Sequence, residues 1–407
     1  MKPFLLLFDD GIARSFHPFS LTRPVGELLF GALLLRERAE RYWESPCLGH
    51  LSGDELVGFR EAGAPEVLAS AAVHGSAPRI LHSSRFVPGG SAPELSSKPT
   101  TLLCQGMVVG FFLPPGAPVP PEEELLEPAP LPGSVQVEVE GSLLTAPWDL
   151  MSRNGAQLRT DIPRFFPGYA SEDIAGCHIL GTGLLSMGED VAVEPGSVFD
   201  LRGGPIRLSD GVRVRAPTRL EGPAYVGPRT TILGGSLSEV SLGPLCKVRG
   251  EVESSIILGY SNKAHDGFLG HAYLGKWVNL GAFTTNSDLK NNYGPVRLGS
   301  ASGPVETGLL KVGAFLGDHV KTGIGTLLNT GTVLGTGSNV FGGAMPPTYV
   351  PPFSWGSGSR LTEFRLEKFL EVASRAMGRR GVELDPEMEG LLRRAWERSR
   401  EERAAFP

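Results

Sequence analysis

The sequence lacks any close pair of cysteines, and with it the CxxC spacing of a metal knuckle or redox motif. Cys47, Cys104, Cys177 and Cys246 are far apart and make no CxxC. Such spacing fits a reducing compartment, so a cytoplasmic location is the expectation. No apolar run approaches the ~18–20 residues that a membrane span needs. Pro3–Phe8 is apolar, but it is too short for a signal segment and stops at Asp9 and Asp10, so it reads as a first buried strand. Positive charge is not in excess either. A formal net charge of -6 leaves no footprint for a polyanion and argues against a nucleic-acid partner, while a local basic site for a phosphate stays open. With 41% hydrophobic and 20% charged residues the chain is too apolar for disorder, and its 407 residues exceed one ordinary core, so two or three domains are expected.

Glycine and proline, by contrast, are plentiful: 54 and 34 residues, spread through a repeating region rather than gathered in one linker. Leu316, Thr322, Leu328, Leu334 and Val340 stand six apart, and Ala314, Val320, Thr326, Thr332 and Ser338 form a second row two positions ahead. The same beat occurs at Leu208, Val214, Leu220, Val226 and Ile232 and, with slips, at Leu269, Leu274 and Leu280. A period of six fits neither an amphipathic helix nor an alternating strand. It fits a solenoid in which each hexad forms one short side of a coil and turns its aliphatic residue inward.

Residues 1–147 lack this beat. Leu5–Phe8 reads as a strand, Val25–Trp43 as a helix with Leu28, Leu29, Ala32, Leu35 and Ala39 on one face, and Thr100–Leu113 as strands. The acidic, proline-rich Pro114–Pro132 reads as an exposed loop. This mixture predicts an α/β domain. Residues 148–178 read as a connecting segment with a short helix near Asp149–Asn154. The hexads predict a β-helix over residues 179–352, with an Asn-, Gly- and Ser-rich excursion at Asn286–Thr307. Loops projecting from a rigid coil are a usual place for function. In the tail, residues 353–407, Gly356–Ser359 reads as a hinge. Two helices follow, with apolar faces at Leu366, Phe369, Leu370 and Ala373 and at Met388, Leu391, Leu392, Ala395 and Trp396. Gly381 fits a cap between them. Phe315, Leu327, Phe341 and Trp277 lie off the inward row and call for cover, which a trimer through the β-helix would supply.

One segment carries more than a period. His265-Asp-Gly-Phe268-Leu-Gly270 is followed by Val278-Asn279-Leu280-Gly281-Ala282, within an ungapped stretch that begins at Val252. This stretch resembles the acetyltransferase half of the bifunctional N-acetylglucosamine-1-phosphate uridylyltransferase/glucosamine-1-phosphate acetyltransferase family. It resembles more closely a bacterial branch of sugar nucleotidyltransferases with a shortened α/β nucleotidyltransferase-like front domain and a left-handed parallel β-helix. Leu316-Gly-Asp-His319-Val-Lys321-Thr-Gly323 and Pro351-Pro-Phe-Ser-Trp355-Gly are similar to that branch as well. The resemblance implies the left hand of the coil, a homotrimer, acetyl-CoA as acyl donor and an amino sugar phosphate as acceptor. On that basis His265 is the expected catalytic base, its tautomer set by Asp266 or a backbone carbonyl. Asn279, Asn286, Lys290 and Phe268 are expected on the acceptor, and Ala282, Lys321 and Thr336 along the acyl-CoA arm. Glu253 stands where the family has a lysine near the sugar phosphate, and Phe268 where it has tyrosine. A carboxylate repels a phosphate at close range, so both changes bear on the substrate more than on the reaction.

The family's nucleotide-binding turn is Gly-x-Gly-Thr-Arg, followed by Pro-Leu-Thr and a second basic residue. Phe8-Asp9-Asp10-Gly11-Ile12-Ala13-Arg14 and Pro18-Phe19-Ser20-Leu21-Thr22-Arg23 keep Arg14, Thr22 and Arg23 but only one glycine of the phosphate cradle. The resemblance implies nucleotide binding by those three residues and nucleotidyl transfer to a sugar 1-phosphate, with Mg²⁺ a possible cofactor of that transfer; no metal-site residue is assigned, although Asp9 and Asp10 are of the residue type that binds Mg²⁺. The plainer reading of the two aspartates is a strand ending at the surface. Two rival functions come from other classes. One is a non-catalytic scaffold that binds a nucleotide sugar. The other is a zinc enzyme of the γ-carbonic-anhydrase type built on His265, His271 and His319, although the first two depart from that class's His-x4-His spacing. The plainer reading of His271 and His319 is as hydrogen-bonded structural residues; Asn279 reads equally as a rung of an amide ladder, and the non-functional reading of Asn286, Lys290, Asn291 and Asn292 is turn chemistry.

Overall fold

The computed structural model describes residues 2–70, 77–167, 174–358 and 360–405. Residues 168–173 of the expected connecting segment and Ser359 of the expected hinge lie outside them. The chain divides into two compact units.

The first unit comprises Met1–Leu28, Leu33–Pro147 and Asp385–Ala395. Its sheet has six strands in the order Cys47–Leu51, Phe4–Phe8, Arg79–Ser83, Met107–Leu113, Thr100–Cys104, Val135–Glu138. Phe4–Phe8 is parallel to both its neighbours, and Met107–Leu113 is antiparallel to both of its own. Alternate side chains of the first strand enter opposite layers. Leu6 and Phe8 pack with Leu81 and Phe111, whereas Leu5 and Leu7 pack with Ile80 and Ala39. Both faces are covered, which accounts for an apolar run without alternation. Pro114–Pro132 is not wholly exposed, because Glu122–Leu126 is helical and buries Leu125.

The helix expected over Val25–Trp43 begins only at Leu35. Ahead of it come a 3-10 turn, Val25–Glu27, and two short paired strands, Leu29–Phe30 and Leu33–Leu34. Gly31 lies at φ +67°, which ends helical winding. Leu29–Ala32 groups with the second unit, and side chains there take its amides. Leu29 N–H donates to the Tyr273 hydroxyl at 3.0 Å, Gly31 N–H to Asn154 Oδ1 at 3.0 Å, and Ala32 N–H to Asp161 Oδ2 at 3.0 Å. The apolar spacing was helical, but tertiary partners for the backbone overrode it.

The second unit comprises Leu29–Ala32, Trp148–Leu384 and Trp396–Pro407. Residues at the start of the expected connecting segment form two helices, Pro147–Ser152 and Asn154–Phe165. A parallel β-helix follows. One of its sides is a ladder of nine parallel strands from Leu185–Met187 to Tyr349–Val350. Leu208 pairs with Val226, three hexads on. Ile257 pairs with Leu274, one residue short of three hexads, which is the physical form of the slips. The inward residues Leu208, Val214, Leu220, Val226, Ile232, Leu316, Leu334 and Val340 join one continuous core. Between Leu274 and its partner Leu316 the coil releases the excursion, which carries the hairpin Arg297–Leu298/Val305–Glu306.

Phe315 is fully buried and Trp277 is 8% exposed, so this chain itself covers two of the four aromatic and aliphatic residues expected to need a partner. Leu327 remains open, as do Phe283 and Ile324. In the tail, Leu366–Gly378 buries Phe369, Leu370, Ala373 and Met377, and Gly381 at φ +72° turns the chain after it. Among the described residues no helix is long and apolar enough to cross a membrane.

Candidate active site

The coil register builds a polar row along one side of the β-helix. Lys247 pairs with Asn262, Asn262 with Asn279, Asn279 with Lys321, and Lys321 with Asn339. Side chains at matched positions of successive coils stack along the axis. Asn262 Nδ2 donates to Asn279 Oδ1 at 3.3 Å, and Arg380 Nη2 donates to Asn262 Oδ1 at 2.6 Å. Lys321 Nζ donates to the carbonyls of Trp277 at 3.1 Å and His319 at 3.4 Å. Burial brings its amine down to about 8.

This row floors a cleft of about 750 Å³ whose lining includes His265, Asn279, Ala282 and Lys321. Four of the residues expected to carry function therefore share one concave surface. His265 sits at an exposed coil corner, and its ring makes no hydrogen bond with any described residue. Its neighbour Asp266, an expected tautomer-setting partner, instead accepts from Arg249 Nε at 3.1 Å. Lys263 holds the corner from inside, donating to the carbonyls of Arg249 at 2.8 Å and His265 at 2.9 Å. Burial lowers that amine to about 8 as well.

The remaining acceptor residues do not line this cleft. Phe268 lies on the next side of the coil, its N–H donating to Thr285 Oγ1 at 3.2 Å. Asn286 is 4% exposed and locked in the coil, accepting from Gly270 N–H at 3.0 Å and donating to Gly270 O at 2.9 Å. Both ends of its amide are thus engaged by the coil backbone, with Nδ2 also donating to Ser287 O at 3.2 Å. Lys290 caps its own loop by donating to Pro295 O at 2.6 Å. Thr336, expected along the acyl-CoA arm, is fully buried. Near Phe268, His271 Nδ1 is 2.8 Å from Asp288 Oδ2, and Lys311 is 3.5 Å from Glu253. His319 is buried, stacked on Trp277 at 6.2 Å with Phe369 edge-on at 5.8 Å. The three histidines thus occupy separate sites, and among the described residues no group of three or more His, Cys, Asp or Glu is arranged to hold a metal.

In the first unit the strand ends meet as the α/β pattern requires, with Asp9 N–H bonded to Leu51 O and Ser84 N–H to Phe8 O. The expected nucleotide ligands are committed there. Arg14 Nη1 pairs with Glu122 Oε1 at 2.7 Å. Arg23 is 1% exposed and pairs with Glu61 through both amino groups, at 3.1 and 2.8 Å. Thr22 is fully buried. Asp9 and Asp10 are not at the surface; they are 2% and 1% exposed. Asp10 caps the turn Gly11–Arg14 through Ala13 N–H and receives Arg85 Nε at 2.7 Å. Asp9 accepts from Ser84 Oγ and Val25 N–H, and burial raises its carboxyl. With their oxygens occupied in this way, the two aspartates do not fit a Mg²⁺ site in this arrangement. Glu27 joins the same layer. Burial alone would raise its carboxyl, but His50 at 2.9 Å and Arg36 at 2.5 Å outweigh that and hold it at about 2.

Sequence reasoning missed Lys247, Asn262 and Tyr260 on the coil side of the cleft, and Arg379 and Arg380 from the tail. The first two share the outward phase of Asn279 and become legible once the slips are counted. The arginines carried no signal, because only tertiary packing brings them over the coil.

Residues 5–168 match the family model described as sugar nucleotidyl transferase. Among curated proteins, the chain is 30% identical over 95 residues to the bifunctional sugar-1-phosphate nucleotidylyltransferase/acetyltransferase of Sulfurisphaera tokodaii, covering 23% of this chain and 24% of that one. It is 33% identical over 88 residues to the bifunctional protein GlmU of Methanococcus maripaludis, covering 22% and 21%. The matched part therefore spans about a quarter of the length of these relatives. Among solved structures, the Arabidopsis UDP-N-acetylglucosamine acyltransferase overlaps 49% of this chain and 76% of its own, at 12% identity and a TM-score of 0.26. The chain thus matches sugar nucleotidyl transferases over residues 5–168 and is similar to bifunctional sugar-1-phosphate nucleotidylyltransferase/acetyltransferases.

Proposed function

We propose that the protein is a sugar-phosphate-modifying transferase whose β-helix moves an acetyl group from acetyl-CoA to the amine of an amino sugar 1-phosphate. One observation carries this reading: His265, Asn279, Ala282 and Lys321 line a single cleft on the coil. The acceptor nitrogen attacks the thioester carbonyl, a C–N bond forms and the C–S bond breaks. His265 takes the proton that the amine loses and returns it to the departing thiolate, work suited to an imidazole. Asn279 orients the acceptor by hydrogen bonds. Ala282, beside the exposed Phe283, leaves room for the donor arm along the coil. Two features support a homotrimer: the open apolar residues Phe283, Ile324 and Leu327 and the resemblance to trimeric β-helices. A cytoplasmic setting agrees with four free cysteines. The test is thiol release from acetyl-CoA with glucosamine 1-phosphate and related amino sugar phosphates; no turnover with any acceptor refutes the reading. Light scattering that gives one chain mass at micromolar concentration refutes the trimer.

A second reading, nucleotidyl transfer on the first unit, is favoured by the family match over residues 5–168. It requires a nucleoside triphosphate to displace Glu122 from Arg14 and a metal to be recruited by groups other than the engaged Asp9 and Asp10. Pyrophosphate release from UTP or dTTP with a sugar 1-phosphate tests it.

A further inference from the structure

We propose that the short helix Glu122–Leu126 is an autoinhibitory plug. It holds the Glu122 carboxylate on Arg14 in place of a substrate phosphate, and the first unit takes a nucleoside triphosphate only when the helix lifts away. The proposal rests on the nucleotidyl-transfer reading for the identity of that ligand. In an open α/β sheet, ligands bind beyond the carboxyl ends of the strands. Phe4–Phe8 leads there into the turn Gly11–Arg14, and the acidic, proline-rich segment folds back over this turn. A Cβ on Gly11 would stand 3.2 Å from the carbonyl of Leu126, so the one glycine kept from the phosphate cradle has the helix directly upon it. Arg14 Nη1 donates to Glu122 Oε1 at 2.7 Å, across 108 positions of chain. Arg14 Nε reaches Asp9 O at 3.3 Å, which keeps the guanidinium at the strand end. A carboxylate offers an arginine the same kind of charged oxygen acceptor as a phosphate does. The plug is lightly held. Five residues are too few to sustain a helix alone, and its buried side chain is Leu125, which joins the cluster of Leu6, Phe8 and Phe111. The Arg14–Glu122 pair is part-exposed, and such pairs add little stability. Segments with few buried contacts open at low cost, and lids are drawn from them. Pro120, Pro121 and Pro128 bracket the helix and restrict the backbone on either side, so it lifts as one piece. Core filling accounts for Leu125. It does not account for a carboxylate set on the arginine at the strand end.

Calorimetric titration of the full chain with UTP and with dTTP, paired with hydrogen exchange of residues 120–128, tests this directly. Glu122→Gln keeps the shape and removes the competing charge, and should tighten triphosphate binding about 3- to 10-fold. Leu125→Ala loosens the buried anchor, raises the open fraction and should tighten binding at least about 10-fold. Arg14→Ala added to Glu122→Gln should cancel the gain. Exchange of the Glu122–Leu126 amides should quicken in both single variants, and in wild type once triphosphate is added. Cooperative unfolding curves establish that the variants are folded. Faster exchange with wild-type affinity in both single variants overturns the plug, and pyrophosphate release by wild type then leaves the nucleotidyl-transfer reading standing. Tighter binding in the variants without pyrophosphate release from any sugar 1-phosphate does the reverse. Exchange that stays at the wild-type rate in both variants also overturns the plug. Absence of triphosphate binding in wild type and in variants with a released helix overturns both.

Discussion

Lys263→Met probes a charge placed in the core row of the coil. Lys263 pairs in register with Val248 and is 2% exposed, and Leu280, at the matching position of the next coil, is 4% exposed. Its ammonium reaches two carbonyls, at 2.8 and 2.9 Å, but burial still lowers the amine from 10.5 to about 8. A lysine with a depressed folded pKa is the reverse of a salt-bridged one. Below about pH 8 the native state carries the full cost of the buried charge. Between about 8 and 10.5 the native amine is already neutral while the unfolded chain still holds its proton, so stability rises with pH and the penalty vanishes above that window. A shift of this size corresponds to roughly 3 kcal/mol. Methionine keeps an unbranched stem and has no proton to lose. The advantage of the variant over wild type should therefore shrink by roughly 3 kcal/mol between pH 7 and pH 10.5. Urea unfolding followed by tryptophan fluorescence measures it, because Trp148, Trp277, Trp355 and Trp396 all belong to the β-helix unit. A stability gap that stays constant across that range refutes the argument.

Other perturbations separate chemistry, binding and packing. His265→Ala should slow acetyl transfer by about 10²–10⁴-fold while acetyl-CoA binding is retained; wild-type turnover to glucosamine 1-phosphate in steady-state assays would remove His265 as the base. Ala282→Trp should abolish acetyl-CoA binding in calorimetry without lowering the unfolding midpoint, and unchanged affinity would move the donor arm elsewhere. Leu316→Ala deletes a fully buried residue of the inward row and should cost about 2–5 kcal/mol in urea unfolding; a loss below about 1 kcal/mol would mean that the coil closes around the gap.

The β-helix was legible because its core is one-dimensional. Leu316, Leu334 and Val340 must face inward on every coil, so the same physical demand recurs at a fixed spacing and shows in the chain. The slips near Leu274 were legible only as interruptions, since a corner can shed a residue without moving the inward side chain out of register. Residues 1–147 have no such repetition, and there the reading failed at Leu29–Ala32, whose backbone partners are distant in sequence. Leu28, Leu29 and Ala32 keep helical spacing, yet Tyr273, Asn154 and Asp161 supply the hydrogen bonds that a helix would otherwise have made. The same limit divides the candidate site. His265, Asn279, Ala282 and Lys321 sit on the coil, where register converts spacing into proximity. Thr336 and Asn286 sit on the coil too, but the phase of the row alone does not reveal whether a polar side chain meets a ligand or satisfies the backbone of the neighbouring coil. Asn286 does the latter with both ends of its amide. Lys263 marks the other edge of this limit. An ammonium in an aliphatic row looks like an error in the hexad beat, and only the carbonyls of Arg249 and His265 explain why the coil accepts it. A residue that breaks the pattern of the core while gripping the backbone of the candidate base is therefore better evidence for a built corner than another leucine would have been.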